Sequence, residues 1–347
     1  MSVCPLPKAQ YDAIVLGHGS GGRLAADLLE RIFLRHFRSE TLSRLEDQAV
    51  FVPEPQAGTR LALTTDSFVV RPLFFPGGDI GKLSICGTVN DLAVGGAEPR
   101  VVTAAFILEE GLPLAELERV VASMAQTCEE AGVELVAGDT KVVERGKGDG
   151  IFITTTGAGV VPSGRELSIA RARPGDRVIV SGPIGDHGVA ILSVREGIAF
   201  ETELVSDCAP LVGLARALFE VCPEVRCMRD PTRGGLAAAL NEIASKSRVG
   251  VRLDARAIPV RPEVRAACEL FGLDPLHVAC EGRLVAVVPR EDAEGALEAL
   301  RSHPLGSEAA VVGEIVAEHP ATVTLRSEIG SERLVPLLAG EQLPRIC

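Results

Sequence analysis

The chain has 347 residues, 46% of them hydrophobic, and a formal net charge of −12, enough for two domains with buried cores. That acidity, with no Trp and one Tyr, excludes the basic, base-stacking surface of a nucleic-acid binder. No apolar run approaches the ~20 residues of a membrane span. The start, Met1-Ser-Val-Cys-Pro5, lacks a secretion-signal pattern, so the expected compartment is the cytoplasm. The nine cysteines are scattered without a Cys-x-x-Cys pair, which points to reduced, mostly buried thiols rather than disulfides or zinc.

In chain order, residues 1–45 hold a glycine loop and a helix. Gly17, Gly19 and Gly22 spell G-x-G-x-x-G after an apolar run. A dinucleotide-binding turn needs a second strand ending in an acid about 20 residues on. Here a basic, helix-like segment, Arg31–Arg38, follows instead, so that reading is rejected. The glycines form either a loop that closes over phosphates or a plain turn, and His18 within them is a candidate substrate contact.

Residues 46–162 read as a first domain. Two strands are expected within 59–73, the alternation Arg60–Thr65 delivering Asp66, and a helix over 78–94 carries Asn90 and Asp91. Pro99–Leu108 reads as a strand. Leu114, Leu117, Val121, Met124 and Cys128 fall at helical spacing and stop at Gly132. Strands follow at Glu134–Ala137 and Gly150–Val160, with Gly138-Asp139-Thr140-Lys141 between them. Lysine occurs only at positions 8, 82, 141, 147 and 246, so Lys141 is assigned to chemistry.

Arg171–Asp176 reads as the link into a second domain, 171–320. Its strands are expected at Arg177–Ser181, Val225–Met228, Val249–Asp254, Leu284–Val288 and near Val311–Val316. Its helices are expected at His187–Arg195, Leu211–Phe219, Gly235–Ala244, Pro262–Phe271 and Ala293–Ser302. Asp230 and Thr232 follow the second of these strands, and Gly234-Gly235 opens a helix whose free N–H groups suit an anion. Glu281, in Ala279-Cys-Glu-Gly282, is a candidate general base. Residues 321–347 lose periodicity and read as a mobile tail ending in Cys347. A terminal thiol on a segment holding Gly340 and Pro344 suits a carrier arm.

Asp66, Asp91, Asp139 and Asp230 all sit near element ends, amid glycines or beside hydroxyls and cations. One such Asp is ordinarily a cap or turn residue. Four together suit an oxygen-ligand site for Mg²⁺ with phosphate. The element order is mixed α and β, α/β in the α+β sense, too irregular for a doubly wound sheet.

These segments together closely resemble the HypE family of hydrogenase maturation carbamoyl dehydratases, within the ATP-using AIR-synthetase (PurM-like) superfamily. The resemblance rests on Gly17–Gly22, Thr64-Thr-Asp-Ser67, Pro76–Lys82, Asn90-Asp91, Gly138–Val143, Arg229–Gly235 and the terminal Pro-Arg-Ile-Cys. Cys280 stands where Asn is expected before the Glu-Gly pair. The resemblance implies a PurM-like two-domain fold, a homodimer whose N-terminal domains pair into a β-barrel, and ATP near that seam. The ATP contacts would come from Asp66, Asn90, Asp91, Gly138, Asp139, Thr140, Lys141, Asp230, Thr232 and Gly234, with Mg²⁺ on the four aspartates. It further implies that HypF carbamoylates Cys347, that ATP drives dehydration to S-cyanide, and that the HypC–HypD complex receives the cyanide. Lys141 would stabilise phosphate and Glu281 would take the amide protons. Two readings compete: a sibling ATP enzyme such as a selenophosphate synthetase, and a non-catalytic scaffold presenting Cys347.

Overall fold

The strand Arg60–Phe68 (β2) alternates buried and exposed residues, and its period of two sets the first sheet. A computed structural model describes residues 22–28, 30, 34, 42–52, 60–198, 204–338, 343 and 345–347. His18, Gly340 and Pro344 lie outside the described residues, as does the glycine loop up to residue 21. A short helix, α1, covers Arg23–Leu28.

The first sheet combines β2 with β1 (Ala49–Phe51), β5 (Glu98–Glu109), β6 (Glu134–Val143) and β7 (Ile151–Val161). Their order is β1-β2-β7-β5-β6, antiparallel except for the parallel β5–β6 pair. A small hairpin, β3 (Phe74–Phe75) and β4 (Gly78–Asp79), leads into α2 (Ile80–Val94). Asp79 caps α2 by accepting from the N–H groups of Gly81 and Lys82 at 2.7 and 3.0 Å. Every residue of α2 except Lys82 and Asp91 is buried, because the helix packs on the sheet, on α3 (Leu114–Ala131) and on the second domain at once.

Three expectations change here. The apolar stripe of α3 runs through Val120, Met124 and Cys128, leaving Leu114 81% exposed and Val121 46% exposed. The strand predicted to stop at Ala137 continues to Val143 and takes in Gly138–Lys141, as β-branched Thr140, Val142 and Val143 favour. It is a sheet edge with nearly every residue exposed, including Val142 at 68%.

The second sheet has the order β14-β13-β10-β12-β8-β11-β9. Its strands are β8 (Arg177–Val180), β9 (Cys227–Arg229), β10 (Gly250–Asp254), β11 (Val285–Val288), β12 (Ala310–Val316), β13 (Thr322–Arg326) and β14 (Glu332–Leu334). Both faces are covered, so β11 reads as an unbroken apolar run. Val285 and Val287 face α6 (Gly235–Ser247), while Ala286 and Val288 face α5 (Val212–Val221) and α8 (Ala293–Ser302). Helices α4 (Asp186–Glu196) and α7 (Pro262–Phe271) pack together at one end.

The third change concerns the tail. Thr322–Arg326 alternates, burying Val323 and Leu325, and pairs in parallel with β10. The segment taken as tail from 321 thus supplies two strands of the second domain. At the very end Ile346 is only 4% exposed and packs in the first domain's core cluster.

Candidate active site

The ends of β2, α2 and β9 converge where the two domains meet. Asp66 sits near the end of β2, Asp91 in the last turn of α2, and Asp230 directly after β9. They line a cavity of about 290 Å³ with Asp47, Thr64, Arg229, Thr232, Arg233, Gly235 and Glu242. One carboxylate oxygen from each of Asp47, Asp91 and Asp230 lies within 4.8 Å of the others, a spacing compatible with one hard, oxygen-liganded cation.

The electrostatics of this cluster are unfavourable in the protein alone. Burial, then the charges of Asp230 and Asp66, raise the Asp91 carboxyl well above the usual range, although Thr64 Oγ1 donates to its Oδ2 at 2.7 Å. Burial pushes Asp230 up to about 6, and burial also raises Asp66 against the pull of Arg233. Opposing charge comes from Arg229, which contacts Asp47 and donates to Glu242 Oε2 at 2.7 Å, and from Arg233. Carboxyls held in this protonation-prone state are what a bound cation relieves.

Asp230 is followed by Gly234 and Gly235, both at positive φ, 77° and 60°. A Cβ at Gly235 would lie 2.6 Å from the Leu276 carbonyl oxygen, so only glycine lets α6 begin against this wall. The N-terminal turn of α6 thereby meets the acid cavity. Thr232 lines the same cavity, and Gly234 stands as the helix N-cap.

Other predicted site residues fall elsewhere. In the sheet register Asp66 is opposite Thr155, Thr155 opposite Ala104, and Ala104 opposite Gly138. Gly138 is therefore level with Asp66 but three strands away, about 14 Å at roughly 4.8 Å per strand. Asp139, expected as a fourth metal ligand, is instead paired with Lys141 Nζ at 2.5 Å on the exposed edge strand, and that contact lowers its carboxyl. Lys141 and Thr140 share that edge, because β6 pairs with nothing but β5 among the described residues. Asn90 is 1% exposed and commits its amide to backbone, donating to the carbonyls of Ala209 and Glu281 and accepting from Leu211 N–H. It fastens α2 to the second domain.

Glu281 is 2% exposed, and its Oε1 has no hydrogen-bond partner among the described residues. Burial first, then Cys208, Asp230 and Asp66, raise its carboxyl well above the ordinary value. Close by, the chain end is docked. The Cys347 sulfur lies 3.7 Å from Arg233 Nη1, and Arg233 also lines the acid cavity. Seven of the described cysteines are buried, while Cys347 is half-exposed.

Sequence reasoning missed Asp47, Arg229 as its neutralising partner, and Glu242. The available signal was weak: Asp47 stands two residues before the short strand β1, whereas Asp66 was singled out by the alternating run that precedes it.

Two sheet-and-helix halves, the first covered by helices on one face and the second on both, with a carboxylate cavity at their seam define the class, and family comparison agrees. Residues 45–161 match the AIR synthase related protein N-terminal domain and residues 173–326 its C-terminal domain. The chain is 56% identical over 335 residues to carbamoyl dehydratase HypE of Azotobacter vinelandii, covering 96% of this chain and 97% of that one. Among solved structures, HypE in complex with ATP is 46% identical with a TM-score of 0.81, covering 96% and 100% of the two chains. A HypE–HypF complex gives 48% identity and a TM-score of 0.85, covering 90% and 99%. The chain belongs to the HypE family of hydrogenase maturation carbamoyl dehydratases.

Proposed function

We propose that this chain dehydrates an S-carbamoyl group on its own Cys347 to S-cyanide, using ATP, and so supplies the cyanide ligand of the [NiFe]-hydrogenase iron centre. The observation carrying this reading is the docked chain end, with the Cys347 thiol on Arg233 at the rim of the carboxylate cavity. That a relative binds ATP supports the cosubstrate, and that a relative is found with HypF supports HypF as the loading partner. The HypC–HypD complex is the proposed cyanide acceptor.

An amide oxygen leaves poorly, so the carboxamide oxygen takes the γ-phosphoryl group of ATP. Two N–H protons then leave nitrogen, the C–O bond breaks, and nitrile, ADP and phosphate result. Asp47, Asp91 and Asp230 would hold Mg²⁺, with Asp66 beside them, and the metal supplies charge neutralisation for the transferring phosphoryl group. Arg233 orients the thiol end. Glu281, buried and poor in partners, accepts a proton from the carboxamide nitrogen. Cys347 carries the group and attacks nothing.

The outer face of the first sheet and the β6 edge are exposed, with Ile107 at 44% and Val136 at 51%. These are the surfaces a homodimer would cover, and across that seam Asp139, Thr140 and Lys141 would reach the nucleotide. Sedimentation at micromolar concentration should report a dimer.

The main test is intact mass. Loading with carbamoyl donor and HypF should add one carbamoyl group to the C-terminal peptide, and ATP with Mg²⁺ should then remove one water. Cys347→Ala should fold normally and accept nothing. Carbamoylation on an internal cysteine would overturn the assignment.

A further inference from the structure

The chain end lies extended in a groove beside residues 69–71. The N–H groups of Val69 and Arg71 donate to the carbonyls of Cys347 and Arg345 at 3.1 and 3.2 Å. Alternate residues of the two segments, running in opposite senses, thus meet as in an added strand. The Arg345 guanidinium donates to the Val69 carbonyl at 3.1 Å and pairs with Asp149, and Arg195 holds the Arg345 carbonyl. Ile346 fills an apolar socket, and a Cβ at Gly188 would come within 3.2 Å of its Cδ1. The Ile346 carbonyl, at the centre of the tripeptide, is held by His187.

His187 is fully buried at the start of α4, edge-on to Phe75 at 5.4 Å. Its Nε2 lies 2.8 Å from the Ile346 carbonyl oxygen, and its Nδ1 lies 2.7 Å from Ser206 Oγ. A carbonyl can only accept, so Nε2 carries the proton and Nδ1 accepts from the Ser206 hydroxyl. Ser206 Oγ in turn accepts from Cys208 N–H at 3.1 Å. Every donor and acceptor in this chain is satisfied with a neutral ring, and burial lowers the His187 pKa in agreement. Ser206 is itself pinned, its N–H donating to the Pro76 carbonyl at 2.8 Å. The ring is aimed by the protein rather than by the tail.

We propose that His187 is the positioning residue that sets the register of the docked Arg345–Cys347 segment and thereby the place of the terminal thiol. Backbone pairing supplies the strand geometry, the socket selects an aliphatic side chain, and His187 fixes which carbonyl stands at the centre. A slip of one residue would turn Ile346 out of its socket. What seating does for turnover rests on the function proposed above, whereas seating itself does not.

The test is trimming of the full-length protein by carboxypeptidase Y, followed as loss of Cys347 in the intact mass, without ATP or carbamoyl donor. The enzyme cuts only an undocked end. His187→Ala, which leaves the buried Ile346 carbonyl without its donor, should be trimmed about tenfold faster than wild type. His187→Gln keeps an N–H donor of similar reach and should remain within about twofold of wild type. Ile346→Ala, which empties the socket without touching His187, should accelerate trimming as well. Equal trimming of wild type and His187→Ala would overturn the proposal. So would equal acceleration by Ala and Gln, which would reduce His187 to packing. Loss of dehydration with normal trimming would count against the proposed function and leave the groove standing.

Discussion

The acid cavity and the tail groove meet at Cys347 and Arg233, yet they are built on opposite principles. In the cavity, half-buried carboxylates face one another, and their mutual repulsion is only partly offset by Arg229 and Arg233. In the groove, recognition rests on backbone N–H groups, a neutral imidazole and an aliphatic socket, with charged side chains in Arg195, Arg233 and the Arg345–Asp149 pair. A site for a cation and polyphosphate gains from unrelieved negative charge, because the ligand removes the repulsion when it binds. A site that must take up and release one peptide segment gains from modest, fully satisfied contacts that either state can replace with water.

The sharpest way to break that contrast is Asp91→Asn. Removing one charge from the crowded cluster should abolish ATP turnover by at least about 100-fold, since charge on the transferring phosphoryl group loses its counterweight. The same change should leave the melting temperature equal or raised, because it relieves repulsion in the folded state. A variant that melted several degrees lower would show that the carboxylate stabilises the fold, contrary to the picture of stored repulsion.

Next in size is Glu281→Gln, expected to lower dehydration about 10²- to 10⁴-fold while leaving carbamoyl loading intact. Burial raises the Glu281 carboxyl, and in the proposed role of base it would work only when deprotonated. Single-turnover dehydration in wild type should therefore climb with pH along a limb set above the ordinary glutamate value of 4.5. A rate flat from pH 5 to 9 would remove Glu281 from the role.

The smallest effect belongs to the groove. The His187 pKa is lowered in the fold, so the unfolded chain binds the proton more readily. Its contribution is complete above the ordinary histidine value of 6.5 and declines as pH falls below it, by up to about 1.4 kcal/mol per unit, until the folded pKa is reached. Chemical denaturation at pH 7.5 and 5.5 should show that loss in wild type and a smaller one in His187→Gln. Identical pH dependence in the two would mean that the buried ring does not control acid sensitivity.

How far the sequence could be read is clearest from paired cases. Asp66 and Asp139 carry the same local signal, an Asp within or beside a strand and next to a hydroxyl residue. One lines the cavity and the other stands on the bare edge, because sheet order places three strand steps between them. Asp47 joins the metal-spaced group without that signal, since Glu46 and Gln48 flank it and the three-residue strand β1 beyond gives little periodicity to fix attention on it. His187 looked like an ordinary first-turn residue of an expected helix. Its role depends on Ser206, 19 positions away, and on Ile346, 159 positions away.

By itself the sequence determined the identity of most elements, the two-domain division and a pool of candidate site carboxylates, Asp66, Asp91 and Asp230 among them. Those follow from hydrophobic period, glycine placement and side-chain chemistry, all legible within a dozen residues. Only the tertiary structure decided which carboxylates converge, that β13 and β14 belong to the second sheet, and that the chain end lies docked in a groove. Each of those depends on contacts between distant segments, where burial and strand order select among locally equivalent candidates.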